Sequence, residues 1–127
     1  MKRLTLSLGL LVLAAITAAC STSGANPPAS AGPVDPNAPV VVAQGNVFSP
    51  STFNVKAGKA FSLTLDNKDS APHNVAIFKD SSAAEKVSIG EIVSSTKATQ
   101  QVPALEKGSY FFRCDVHTEM TGTIVAD

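Results

Sequence analysis

Three side chains that bind soft or borderline metals stand at even spacing near the end of the chain: Cys114, His117 and Met120, at i, i+3 and i+6. They fall in the run Tyr110-Phe-Phe-Arg-Cys114-Asp-Val-His117-Thr-Glu-Met120-Thr-Gly122, which reads as a strand, a short loop and the entry to a last strand. A loop this tight can turn all three side chains toward one point, but a fourth donor has to come from elsewhere. The chain has two histidines, and the second, His73, follows Pro72 at the start of a predicted strand. Two imidazoles and a thiolate in a plane, with a weak axial thioether, suit copper as it switches between two oxidation states. Such geometry lies between the preferences of Cu(I) and Cu(II), so little has to reorganise when an electron moves.

Each of these residues has an ordinary reading. A lone buried cysteine is usually a small hydrophobe, an isolated histidine a satisfied or surface residue, and a lone methionine core filler. Together they read differently, because the chain beyond Cys20 spends its one Cys, both His and its one Met on four positions that form one ligand set. A Cys114–His117 nucleophilic pair is the enzymatic alternative, yet it leaves Met120 and His73 without a use and has no evident third orienting residue. Multicopper chemistry needs more histidines, and a dinuclear copper centre needs a second cysteine beside the first. Zinc accepts one Cys and two His, but gives an axial Met no role. A non-enzymatic carrier of single electrons is therefore expected. A copper storage or delivery protein is the alternative, and a cell-surface interaction module using the sandwich alone is a third class.

The elements that must position these residues are strands. Phe61-Ser-Leu63-Thr-Leu65-Asp and His73-Asn-Val75-Ala-Ile77 alternate with period two. Turn signals separate such stretches at Gly45-Asn46, Ser49-Pro50, Ala57-Gly58, Asn67 to Pro72 and Lys107-Gly108. The pattern predicts strands near 40–48, 51–56, 60–66, 73–79, 98–102, 108–114 and 120–126. The fold class is thus all-β, a Greek-key antiparallel β-sandwich, with a short helix or a loop between Asp80 and Lys97. Leu105-Glu-Lys-Gly108-Ser-Tyr110 fits a tyrosine corner, though Tyr110 also reads as one more inward aromatic. Tyr110, Phe112 and Cys114 share a face, so a core-facing Tyr110 carries the thiol inward with it.

Ahead of the sandwich, Lys2 and Arg3 precede an apolar run from Leu4 to Ile16 that is too short for an ordinary span of about 20 residues. Residues 1–19 read as an export signal. Thr17-Ala18-Ala19-Cys20 resembles a bacterial lipoprotein signal, with Thr17 where Leu is usual, and that resemblance implies lipidation of Cys20 and a membrane anchor; plain cleavage nearby is the alternative. Residues 20–39 carry five prolines among Ser, Thr, Gly, Ala and Asn and read as a flexible linker, which at about 3.1 Å per residue spans roughly 60 Å when extended. Residues 40–127 form one domain.

Of ten basic residues, two leave with the signal, so eight face ten acidic ones. The basic residues are scattered, which argues against nucleic acid as a partner. With Cys20 assigned to lipid, Cys114 has no disulfide partner. A monomer outside the cytoplasm, in the periplasm or at the cell surface, is expected.

Pro72-His73-Asn74-Val75 and Cys114-x-x-His117-x-x-Met120 resemble the two copper motifs of the plastocyanin and amicyanin branch of the cupredoxins, with a Cys-to-Met spacing most like amicyanin. The resemblance runs from about Val40 to the end, with further echoes in Phe48-Ser-Pro50, Val55-Lys-Ala-Gly58 and Leu65-Asp-Asn67-Lys-Asp69. It implies that His117 presents a ring edge at the surface as the electron port, near which redox partners dock. It also implies that Asn74 braces the ligand loop toward residue 115 and offers its backbone amide to the Cys114 sulfur. Many relatives carry Ser or Thr after the Cys; this chain has Asp115, which leaves the bracing partner of Asn74 open.

Overall fold

The computed structural model describes residues 37–127; the signal, Cys20 and most of the linker lie outside them. Among the described residues nine strands are formed: β1 (Val40–Gln44), β2 (Val47–Ser49), β3 (Thr52–Val55), β4 (Phe61–Asn67), β5 (Ala76–Phe78), β6 (Lys86–Ile89), β7 (Lys97–Val102), β8 (Gly108–Arg113) and β9 (Thr121–Ala126). They make a four-stranded sheet in the order β2-β1-β4-β7 and a five-stranded sheet in the order β3-β9-β8-β5-β6. The all-β sandwich is as expected.

Three details differ from the sequence reading. The sheets are mixed rather than antiparallel, because β1 lies parallel to β4 and β3 parallel to β9. Alternation shows which face a residue takes but not the direction of its neighbour, so it could not distinguish the two. The stretch 40–48 is a hairpin rather than one strand. Gly45 and Asn46, with φ of 65° and 59°, form a two-residue turn that sets Gln44 opposite Val47, the left-handed pair that matches strand twist. The segment after Asp80 contains β6, and no helix occurs among the described residues.

The core is where the inner faces meet. Phe112, Ile124, Val41 and Ile77 are fully buried, joined by Leu63, Leu65, Val75 and Val102. Phe112 is its centre, with the rings of Phe48 and Phe53 at 5.4 and 5.7 Å, and burying a ring of this size stabilises the fold by about 1.5–3 kcal/mol. Gly122 on β9 is required by this packing: a Cβ there would strike the Phe112 ring and come within 2.5 Å of the Ser51 carbonyl oxygen.

Outward positions of β4 are covered as well, which explains why the strand is buried almost throughout. Ser62 accepts from Gln101 Nε2 at 2.9 Å, and Asp66 lies between Lys68 Nζ at 3.0 Å and Lys97 Nζ at 3.4 Å. Those ammonium groups hold the Asp66 carboxyl below the usual carboxylate range, the Lys68 hydrogen bond first among the causes. Tyr110 Oη donates to the Glu106 carbonyl at 3.2 Å, which is the tyrosine corner. Phe112 follows it inward along β8, and Cys114 does so just beyond the strand's end.

Candidate metal centre

Strands β8 and β9 pair over their full length, from Gly108 opposite Ala126 to Arg113 opposite Thr121, so residues 114–120 form the loop at one end of the sandwich. The loop is closed from within. Cys114 N–H donates to the Met120 carbonyl at 3.0 Å, and Met120 N–H to the His117 carbonyl at 2.9 Å. This turn ties residues i, i+3 and i+6 together through their backbones. Cys114 is wholly buried and Met120 nearly so, while His117 is half-buried.

His73 reaches the same place from between the sheets. It stands outside β5, which begins at Ala76 rather than at residue 73 as the alternation predicts. Instead His73 forms an isolated bridge with Val93, each N–H donating to the other's carbonyl at 3.0 Å. Asn67, at the end of β4, sets up this bridge: its buried Nδ2 donates to the carbonyls of Ala71 at 2.8 Å and Val93 at 2.7 Å. With the backbone pinned on both sides, the His73 ring is completely buried.

The donor atoms of His73, Cys114 and His117 all lie within 4.8 Å of one another. His73 Nδ1 is 3.7 Å from Cys114 Sγ and 3.1 Å from His117 Nδ1. First-row ions take imidazole nitrogen at about 2.0–2.1 Å and thiolate at about 2.3 Å. Around one ion in a trigonal plane these lengths separate nitrogen from sulfur by about 3.8 Å and nitrogen from nitrogen by about 3.5 Å. The observed spacings are close to both, and Cys114 is a free thiol. The residues fit a metal.

Asn74 and Asp115 tie the two halves of the site together. Asp115 N–H donates to Asn74 Oδ1 at 2.8 Å, and Asn74 Nδ2 donates to Asp115 Oδ2 at 3.1 Å and to the Gly90 carbonyl at 3.3 Å. The partner of Asn74 that the sequence left open is therefore Asp115 itself, through both its backbone and its carboxylate.

Two residues went without a role in the sequence reading, Asn67 and Asp69. The Asp69 carboxylate lies 3.1 Å from His73 Nε2 and accepts the N–H groups of Gly45 at 2.9 Å and Asn46 at 3.1 Å. These donors, the two backbone amides foremost and then His73, hold its carboxyl below the usual range. The available signal was a polar Asn-Lys-Asp ending a strand, four residues ahead of a metal-ligand candidate.

The sequence profile of the Cupredoxin-like domain matches residues 9–126. The chain belongs to the cupredoxin-like family. This cupredoxin is 39% identical to plastocyanin A/B of Petroselinum crispum over 77 residues, which cover 58% of the chain and 77% of that protein. It is 33% identical to plastocyanin of Daucus carota over 75 residues, 56% of the chain and 75% of that protein. Among solved structures, amicyanin from Paracoccus versutus superposes with a TM-score of 0.56 at 27% identity, covering 74% of this chain and 85% of that one. Auracyanin A from Chloroflexus aurantiacus, described as a "blue" copper protein, superposes with a TM-score of 0.63 at 14% identity, covering 69% and 96%, a likeness of fold alone. With two imidazoles, a buried thiol and a buried Met at the base of the loop, the cupredoxin's site suits one copper ion.

Proposed function

We propose that this cupredoxin is an electron carrier that holds a single type 1 copper with His73, Cys114, His117 and Met120 and works outside the cytoplasm. Copper supplies the Cu(I)/Cu(II) couple; the protein supplies a site that changes little between the two states. The observation that carries this reading is the convergence of three donors from two separate parts of the chain on one point, within the 4.8 Å noted above. Burial of Cys114 keeps water from the sulfur. The buried Met120 thioether would be the fourth, weak donor to the ion.

His117 alone among the four reaches solvent appreciably, so electrons enter and leave through its ring edge. Its neighbour Val116 is 44% exposed, giving a partner an apolar contact beside the port. The partners are redox proteins that dock there. A mature chain lipidated at Cys20 and tethered by residues 20–39 would be an anchored monomer in the periplasm or at the cell surface, with its copper domain free to reach partners.

Adding Cu(II) to the metal-free domain should produce an intense visible sulfur-to-copper charge-transfer band that is absent in Cys114→Ser. A colourless adduct of the unaltered protein would overturn the blue-copper reading.

A further inference from the structure

The carboxylate of Asp69 is shared between a metal-ligand candidate and a turn 24 residues upstream. Oδ1 accepts from Gly45 N–H, while Oδ2 accepts from Asn46 N–H and from His73 Nε2. Turns that present successive N–H groups to one side form anion-binding concavities, and here the anion is this side chain. Because an ionised carboxylate only accepts, a neutral His73 ring bonded to it carries its one proton on Nε2. In that form the unprotonated Nδ1 is the nitrogen that lies toward Cys114 Sγ and His117 Nδ1.

A plain structural tie would need the carboxylate to hold the loop in place, but the backbone of residue 69 is held without it. Its N–H donates to Asn67 Oδ1 at 2.9 Å, and its carbonyl accepts from Ser95 N–H at 2.9 Å and Ser95 Oγ at 3.1 Å. The side chain's three remaining bonds run only to the turn and to the imidazole.

We propose that Asp69 is a positioning residue which, held by the Gly45-Asn46 turn, fixes the tautomer and the ring orientation of His73. The β1–β2 hairpin thereby becomes a working part of the metal site. A ligand histidine commonly gives its second N–H to a carboxylate or carbonyl; the addition here is that the carboxylate is itself aimed by a remote turn. The inference rests on the copper reading for the role of His73 Nδ1, and its first test needs no metal.

In the metal-free, 15N-labelled protein at a fixed pH of about 8, above the ordinary histidine range, nitrogen shifts of the His73 ring should report the Nε2–H tautomer with a slowly exchanging proton. Asp69→Ala should give a mixed tautomer and fast exchange, and Gly45→Val, which strains a left-handed position, should move the same ring signals. In the copper-loaded protein Asp69→Asn should raise the reduction potential, since it removes a negative charge that favours Cu(II). Ring shifts in Asp69→Ala identical to those of the unaltered protein, or an unchanged potential in Asp69→Asn, would overturn the proposal. Should the unaltered protein form no blue adduct, the copper reading falls, and the ring-nitrogen comparison still decides the role of Asp69.

Discussion

Asn74 and Asp115 hold each other through two hydrogen bonds of 2.8 and 3.1 Å running in opposite directions. One residue adjoins the upstream ligand and the other adjoins Cys114, so the pair sets the distance between the two segments that bring donors to the site. Asn74 is wholly buried, and a group bonded to a carboxylate in such a place contributes about 1.5–3 kcal/mol. Asn74→Ala should lower the stability of the metal-free domain by about that amount and speed copper loss to a competing chelator several-fold. Equal retention in the variant would show that the clamp does not support the metal.

The carboxylate of Asp115 also places a negative charge one residue from the thiolate. Asp115→Ser keeps the backbone bond to Asn74 and removes the charge, so the potential should rise with the visible band retained. Voltammetry of the two proteins at one pH checks this, and an equal or lower potential in the variant counts against it.

Met120→Leu keeps the volume of the buried side chain and removes the thioether. The blue colour should persist, because it belongs to the Cys114 sulfur, while the potential rises as a donor that favours Cu(II) is lost. If spectrum and potential both stay where they were, Met120 is not the axial ligand.

The convergence of His73, Cys114 and His117 was legible in the sequence because scarcity and spacing coincide there: a Cys, a His and a Met at i, i+3 and i+6, with a single further His in the chain. Strand faces were legible too, as the inward series Tyr110, Phe112 and Cys114 shows. Strand direction was not, since Val40–Gln44 alternates in the same way whether its neighbour runs up or down. The support of His73 was also hidden. It depends on Asn67, Asp69, Gly45 and Val93 meeting across long sequence separations, and each alone reads as an ordinary turn or strand residue. Asn67 in particular looks like a polar strand end, yet its buried side chain binds two carbonyls that shape the ligand loop.

Gly122 offers a test of the packing behind the loop. The second residue of β9 has to be glycine because a Cβ there would run into both the Phe112 ring and the Ser51 carbonyl. Backbone cannot move aside as a flexible side chain can, so Gly122→Ala should cost about 1–3 kcal/mol, read as a lower denaturant midpoint at unchanged slope. The strand also leads directly out of Met120, and a broadened visible band in the copper-loaded variant is expected. Stability equal to that of the unaltered domain would mean that β3 and β9 can separate more freely than their pairing indicates.

Acid sensitivity follows from the carboxylates. Asp66 is held below its ordinary value by Lys68 first, with Lys97 adding to the effect, and Asp69 by the amides of Gly45 and Asn46. A group whose folded value is depressed adds stability that is complete above its unfolded value, about 3.9 for Asp, and that disappears as pH falls through the lower folded value. The thermal midpoint of the metal-free domain should therefore be insensitive to these two groups near neutrality and drop as pH falls below about 4. Asp66→Asn removes one contributor, so its midpoint should lie below that of the unaltered domain at pH 7 and approach it at the acid end. A constant gap between the two proteins across that range would show that Asp66 acts through packing and not through its charge.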